Sequence, residues 1–421
     1  MTTALPEITP ALLDCIARHR DADVDDLLLR IALPAGIPRA FVAAQVEARR
    51  RLRRKLPGWV AEDAVLYPSR LATEQASSSH TAAWKADAVR AFISRRAQRA
   101  GDRLPPAFAD LTSGMGVDAL AFARTGMFER ATSCERDATL AALLRHNAAV
   151  FGVGDAGCSL DVHEGDGIAW LQAQPDDALL LAYLDPARRD DRGGRVAAFA
   201  DCAPDAAASM PLLLRKASVV LVKASPMLDI DLACRQLGPL AEVHVVASDG
   251  ECKELLFIAC RDAPAVPTIV AAEGREDAPW QRFEFTRAEE HAAVAELGAP
   301  ARHVYEPGAA LMKAGAFRLL AQRFGLRKLH ANTHLYTSDA LVPGFPGRCF
   351  EVEAMAACSA KGARALFPGR TAMLLARNAG MPTDALRTRL GLRDGGELFA
   401  IAATCAEGGR LLLRARRCVG D

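Results

Sequence analysis

The stretch from Pro106 to Arg124, PAFADLTSGMGVDALAFAR, constrains the fold more than any other part of this chain. A short apolar run (Ala107, Phe108) reaches Asp110, a turn carries Gly114 and Gly116, and a helical pattern follows through Leu120 and Phe122. The order predicts a strand, a glycine loop and a helix. Such a unit lets backbone approach a nucleoside cofactor closely and aims free helix N–H groups at it. Gly114-Met-Gly116-Val-Asp-Ala119 also satisfies the dinucleotide fingerprint G-x-G-x-x-G/A, so the loop alone fits NAD(P) and S-adenosylmethionine (SAM) equally.

From about residue 104 to 262, strand and helix patterns alternate, which predicts a parallel sheet in an α/β fold. Ala131–Glu135 reads as a second strand ending in an acid, 135 − 110 = 25 positions after Asp110, where a carboxylate can bond both hydroxyls of a ribose. A helix is expected over Ala138–Val150, then a short strand ending at Asp166. Asp166 can accept from an adenine amino group or cap the helix Gly167–Gln172. Cys134 reads as strand packing.

The fourth strand separates the two cofactors. Ala178–Leu184 is a buried apolar run that ends in Asp185-Pro186-Ala187-Arg188-Arg189. A base amine is a poor nucleophile because its lone pair is delocalised into the ring. A carboxylate and a carbonyl that accept its two hydrogens localise that pair, and proline fixes the turn without adding an N–H. Orientation and electrostatic placement then carry the chemistry. The bland alternative is Asp-Pro as a loop entry. Ser218–Lys223 is a fifth strand; Lys223 can meet phosphate or a substrate carbonyl, or reach solvent. Glu242–Ala247 and Glu251–Cys260 suit a closing antiparallel hairpin, with Lys253 and Glu254 as a surface pair.

Residues 1–100 read as a helical cap, with pieces Pro10–His19, Val24–Ala32 and Pro38–Lys55. The third ends in Arg49-Arg50-Arg51-Leu52-Arg53-Arg54-Lys55, either a solvated helix end or a phosphate patch that includes Arg50 and Arg53. Thr81 is the expected cap of a helix running to Ala100, and the polar segment Glu74–Ser79, with Gln75, is too dense in polar groups for a core. The net charge of +1 gives no global nucleic-acid signature, and eleven cysteines without C-x-x-C or zinc spacing suggest free thiols and no metal site. There is no long apolar run and no signal pattern, which predicts a cytoplasmic protein without a membrane span.

Taken together, these stretches resemble a bacterial family of class I SAM-dependent methyltransferases with a C-terminal THUMP-like domain. The matching residues are Glu74-Gln-Ala-Ser-Ser-Ser-His-Thr-Ala82, Asp110–Asp118, Glu135-Arg136 with His146-Asn147, Tyr183–Arg189, Lys223–Asp229 and Glu251–Leu255. Tyr305-Glu-Pro307 and Asn332–Asp339 match beyond the catalytic region. The loop is also similar to that of the small-subunit ribosomal RNA guanine methyltransferases. One departure stands out: amino methyltransferases follow Asp-Pro with Pro and an aromatic, where this chain has Ala187 and Arg188. An arginine plane can stack on a base instead.

The resemblance implies a Rossmann-like class I methyltransferase domain with ferredoxin-like and THUMP-like α+β modules behind it. The expected divisions are 1–100 (cap), 101–263 (methyltransferase), 264–327 (ferredoxin-like) and 328–421 (THUMP-like). It implies SAM as cofactor, Asp110, Thr112, Gly114, Gly116, Glu135 and Asp166 around it, Asp185 and Pro186 as the catalytic pair, and structured RNA (tRNA or rRNA) as partner of a monomer. Arg188, Arg189, Lys223, Gln75, Arg50 and Arg53 are the candidate RNA contacts, joined by Arg370, Arg377, Arg387 and Arg389 in the last module. The competing classes are an NAD(P) oxidoreductase and a non-catalytic RNA-binding protein.

In the third module, Val266–Ala272 and Gln281–Thr286 suggest strands, and Ala288–Leu297 and Ala309–Phe324 helices. A final hairpin is expected over Leu398–Thr404 and Arg410–Arg416.

Overall fold

The computed structural model describes residues 5–100, 106–154, 157–188, 199–275, 278–406 and 408–418. The chain divides into two compact units, Met1–Ala241 with Leu256–Ala265, and Glu242–Leu255 with Val266–Asp421.

In the first unit the strands β1 (Ala107–Asp110), β2 (Arg130–Glu135), β3 (Ser159–Glu164), β4 (Leu179–Leu184) and β5 (Ala217–Ala224) pair in parallel, in the spatial order β3-β2-β1-β4-β5. All six residues of β4 are buried, as the unbroken apolar run requires of a strand covered on both faces. The hairpin β6 (Leu240–Ser248) and β7 (Glu251–Ala259) follows in the chain, and its Glu242–Leu255 part falls in the second unit. The order reverses direction at β1 and β4, and a ligand crevice forms at such a switch, outside the strands' carboxyl ends. A two-stranded ribbon, Ala187–Arg188 with Cys202–Ala203, leaves the end of β4.

Helices α1 (Pro10–Arg18), α2 (Val24–Leu29), α3 (Arg39–Leu52), α4 (Pro57–Ala61), α5 (Arg70–Gln75) and α6 (Ser79–Ala100) precede the sheet. α7 (Val117–Ala123), α8 (Ala138–Val150) and α9 (Gly167–Gln172) lie between its strands. The cap is not a free appendage: Leu12, Ile16, Leu27, Val42 and Val46 close one core with Leu66 and with Leu143 of α8. Asn147 of α8 adds a reciprocal pair to the backbone of Leu66 (3.0 and 2.8 Å), and Gln45 does the same for Tyr67 (2.9 and 2.7 Å). The start of α6 corrects an expectation. Ser78 accepts from the Thr81 N–H at 3.1 Å, so the cap is Ser78 and Thr81 sits in the first turn.

In the second unit β8 (Thr268–Arg275) runs parallel to β6, and β9 (Ala278–Phe285) pairs antiparallel with β8. The two strands expected here therefore extend the hairpin strand. A separate seven-stranded sheet contains β10 (His303–Pro307), β11 (Arg327–His330), β12 (Thr333–Ser338), β13 (Gly347–Ala357), β14 (Met373–Arg377), β15 (Leu398–Thr404) and β16 (Arg410–Arg417). Its order is β11-β12-β10-β13-β16-β15-β14, antiparallel except for β14 beside β15. The single helix expected over 309–324 is two, Ala309–Ala314 and Arg318–Phe324, because Gly315 ends the first in a left-handed conformation (φ 79°).

Candidate functional site

The carboxyl ends of β1, β2 and β4 meet at one loop. Asp110, 1% exposed, accepts from the Thr112 N–H at 3.1 Å. Burial pushes its carboxyl well above the usual range, and the nearby charges of Asp118 and Asp185 add to the effect. Thr112 turns its hydroxyl the other way and accepts from the Asp185 N–H at 2.8 Å, tying the glycine loop to the Asp-Pro turn.

Glu135 lies at the end of β2 and spends one site on each oxygen. Oε2 accepts from the Gly114 N–H (2.9 Å) and Oε1 from the Asp137 N–H (2.8 Å). A carboxylate has about four acceptor sites, so two remain, the number a vicinal diol needs. Gly114 has φ +53° and open space where a Cβ would stand. An open loop beside an under-used carboxylate fits an adenosine-bearing cofactor such as SAM. Gly116 carries a packing constraint as well. A Cβ there would lie 2.1 Å from Leu144 Cδ1, and its φ is +85°, so glycine is needed for packing against α8. Asp166 stands two residues beyond β3 and caps α9, accepting from Ile168 and Ala169 N–H at 2.9 Å each through Oδ1.

Asp185, partly exposed, is bonded by the Lys223 ammonium from the end of β5. The polar segment expected to stay outside the core does not: Ser77 is buried and donates to Asp118 Oδ2 at 2.9 Å. Tyr183 OH donates to the same oxygen at 2.7 Å, and Lys85, fully buried on α6, places Nζ 3.3 Å from Oδ1 and 3.0 Å from Ser77 Oγ. Ser77, Lys85, Asp118 and Tyr183 carried no assigned role in the sequence. The signal for them was the recurrence of Ser77, Asp118 and Tyr183 inside three of the resembling motifs.

The remaining candidates are scattered. Gln75 and Arg50 are exposed on α5 and α3. Arg53 pairs with Asp21 at 2.5 Å. Arg49, at the head of the basic run, is 2% exposed and donates to the carbonyls of Val60, Glu62, Asp63 and Val65 at 2.6–3.1 Å. That arginine staples the cap. Ala187 and Arg188 begin the ribbon beyond Asp185-Pro186, and Arg189 lies outside the described residues. Glu254 is buried, so it is no surface partner for Lys253, which pairs with Glu251. In the last sheet Arg377 pairs with buried Glu306, Arg387 with Asp394 at 2.7 Å, and Arg370 with the Gly391 carbonyl at 2.8 Å, while Arg389 is exposed.

Among the described residues no three His, Cys, Asp or Glu side chains cluster as a metal site, and no helix is long and apolar enough to cross a membrane.

A parallel sheet in the order β3-β2-β1-β4-β5 with a closing hairpin, and acids at the ends of β1, β2 and β4, define a class I methyltransferase. The comparisons agree. The chain is 32% identical to a candidate methyltransferase from Porphyromonas gingivalis W83 solved by crystallography, with 99% of this chain and 100% of that one covered at a TM-score of 0.84. Uncharacterised S-adenosylmethionine-dependent methyltransferases from two strains of Mycobacterium tuberculosis are 28% identical over 304 residues, 71% of this chain and 77% of theirs. A ferredoxin-like domain family matches residues 303–346, and a THUMP domain-like family matches 347–417. The chain belongs to this family of SAM-dependent methyltransferases with ferredoxin-like and THUMP-like C-terminal domains.

Proposed function

We propose that the enzyme methylates an exocyclic amine of a purine, guanine ahead of adenine, in structured RNA such as tRNA or rRNA. The observation that carries this reading is Asp185-Pro186 at the end of β4, tied through Thr112 to the cofactor loop. SAM, when bound, supplies a methyl group already activated on a sulfonium. The chain's own residues hold, orient and desolvate. Glu135 offers its two remaining acceptor sites to the ribose hydroxyls, the open side of Gly114 admits the cofactor, and Asp110 and Asp166 flank the loop.

Asp185 is the residue for the acceptor amine: it accepts one N–H, the Pro186 carbonyl accepts the other, and the lone pair is directed at the methyl. Arg188 and Arg189 are the candidates for holding the base or its phosphate. The THUMP-like match supports an RNA partner, and exposed Arg50 and Arg389 are cations available to its phosphates. Nucleoside mass spectrometry of RNA from a strain lacking the gene tests the reading. Loss of one N-methylated purine is expected; an unchanged nucleoside profile counts against an RNA substrate.

A further inference from the structure

We propose that Cys349 and Cys418 form a reversible modification site, a dithiol that a hydroperoxide oxidises to a disulfide fastening the end of β16 to β13.

The sheet builds the pair. β13 runs antiparallel to β16 with Phe350 opposite Arg417, so the register carried one step further sets Cys349 opposite Cys418. The Cys418 N–H donates to the Cys349 carbonyl at 3.0 Å and holds the two backbones at strand spacing. The sulfurs are in contact, Sγ to Sγ 3.2 Å. That is about 1 Å longer than a disulfide bond, a gap that side-chain rotation closes.

The two sulfurs differ in access. Cys349 is fully buried, with Tyr305 of β10 on one side and Cys418 on the other. Cys418 is half-buried and lies one residue past β16. A dissolved oxidant therefore meets Cys418 first and leaves Cys349 in place behind it. Burial works against other thiols of this unit: it pushes Cys252 up to about 12 and raises Cys358 and Cys405 as well, so their thiolates are scarce at neutral pH.

The oxidant is a hydroperoxide, of which hydrogen peroxide is the simplest. The Cys418 sulfur, as thiolate, attacks one peroxide oxygen. The O–O bond breaks, a sulfenic acid forms, and the released hydroxide takes up the Cys418 proton as water. The Cys349 sulfur then attacks the Cys418 sulfur; the S–O bond breaks, and the hydroxyl leaves as water with the Cys349 proton. The thiols lose two electrons and two hydrogens in all, and the peroxide becomes two waters. A dithiol such as dithiothreitol reverses the change by exchange.

The position gives the bond its consequence. β13 is the central strand of the seven, with β10 on one side and β16 on the other. Its second residue, Arg348, donates to buried Glu306 of β10 at 2.7 Å. The disulfide closes a span of 69 positions across this sheet and ties down a strand end, where fraying starts. Where cellular reductants keep thiols reduced, such a pair is a transient sensor of oxidant.

The test treats full-length protein with hydrogen peroxide and applies mass spectrometry to the intact chain and to a non-reducing digest. Wild type should lose about 2 Da and yield a linked peptide pair holding Cys349 and Cys418, and dithiothreitol should abolish both. Cys349→Ala should give no link and leave a sulfenic acid on Cys418 that dimedone traps. Cys418→Ser, the milder change because Cys418 is only half-buried, should leave Cys349 unlabelled. Amide exchange over residues 410–418 should slow several-fold in the linked wild type and stay unchanged in peroxide-treated Cys418→Ser. Treated wild type without a Cys349–Cys418 link, or with Cys418 joined to a second chain instead, overturns the proposal. Dimedone on Cys349 in folded Cys418→Ser overturns the order of attack, and equal exchange in reduced and linked wild type overturns the fastening.

Discussion

Gly116→Ala separates packing from cofactor approach. The added Cβ would stand 2.1 Å from Leu144 Cδ1 and 3.3 Å from its Cγ, well inside contact distance. The backbone at φ +85° is left-handed, which costs a residue with a Cβ roughly 1–2 kcal/mol. Overpacking adds about 1–3 kcal/mol, since Leu144 is fully buried. The single variant should therefore lose about 2–5 kcal/mol. In a Leu144→Ala background the clash is gone, and the same substitution should cost only the backbone part, about 1–2 kcal/mol. Urea unfolding followed by tryptophan fluorescence in a Trp280→Phe background reads the first unit, which holds the other three tryptophans, Trp59, Trp84 and Trp170. Equal costs of Gly116→Ala in the two backgrounds would refute the packing argument, and near-wild-type stability of the single variant would refute both terms.

Four further outcomes follow from the site and the modules. Glu135→Ala should weaken SAM binding by about 1–3 kcal/mol in calorimetry, the worth of charge-assisted bonds lost to the ribose; unchanged affinity in the folded variant removes Glu135 from the cofactor site. Arg49→Met strips a buried cation from four carbonyls and should destabilise the first unit by about 3–5 kcal/mol, read as a shifted urea midpoint. Arg50→Gln with Arg53→Gln should leave stability near wild type and flatten the salt dependence of RNA binding, since fewer counterions are released; an unchanged slope assigns the run to the helix end alone.

The remaining outcome concerns pH. His334 stacks on Phe317 at 3.5 Å, and burial, then Lys328 and Arg377, pull its pKa from 6.5 down to about 4. The fold favours the neutral ring, so its contribution to stability is present above about 6.5 and is lost as pH falls towards about 4. His334→Gln should flatten that slope in the unfolding midpoint of the second unit.

The sheet was legible because its strands are short apolar runs with acids at their ends, and helices 138–150 and 167–172 match their expected bounds residue for residue. The buried network was not. Serine and lysine read as surface in any local window, and Ser77 and Lys85 become core only through Asp118, 41 and 33 positions on. Arg49 shows the same blindness: inside a basic run its identity says phosphate or solvent, while its surroundings are four carbonyls. By contrast, the break at Gly315 was visible and passed over, a glycine after Lys313-Ala314 being an ordinary helix stop.

The most direct test of the amine mechanism is methyl transfer by purified protein. RNA from a strain lacking the gene is incubated with tritiated SAM and wild-type, Asp185→Ala or Asp185→Asn enzyme, and the labelled nucleoside is identified by mass spectrometry. Wild type should place the methyl on an exocyclic purine amine. Asp185→Ala should bind SAM nearly as well and lose about 2.7–4 kcal/mol of barrier lowering, roughly 100- to 1,000-fold in rate, as when one placed electrostatic partner is removed. Asp185→Asn should fall between them. A ring-carbon or ribose methyl, or transfer by Asp185→Ala at the wild-type rate, would contradict the mechanism.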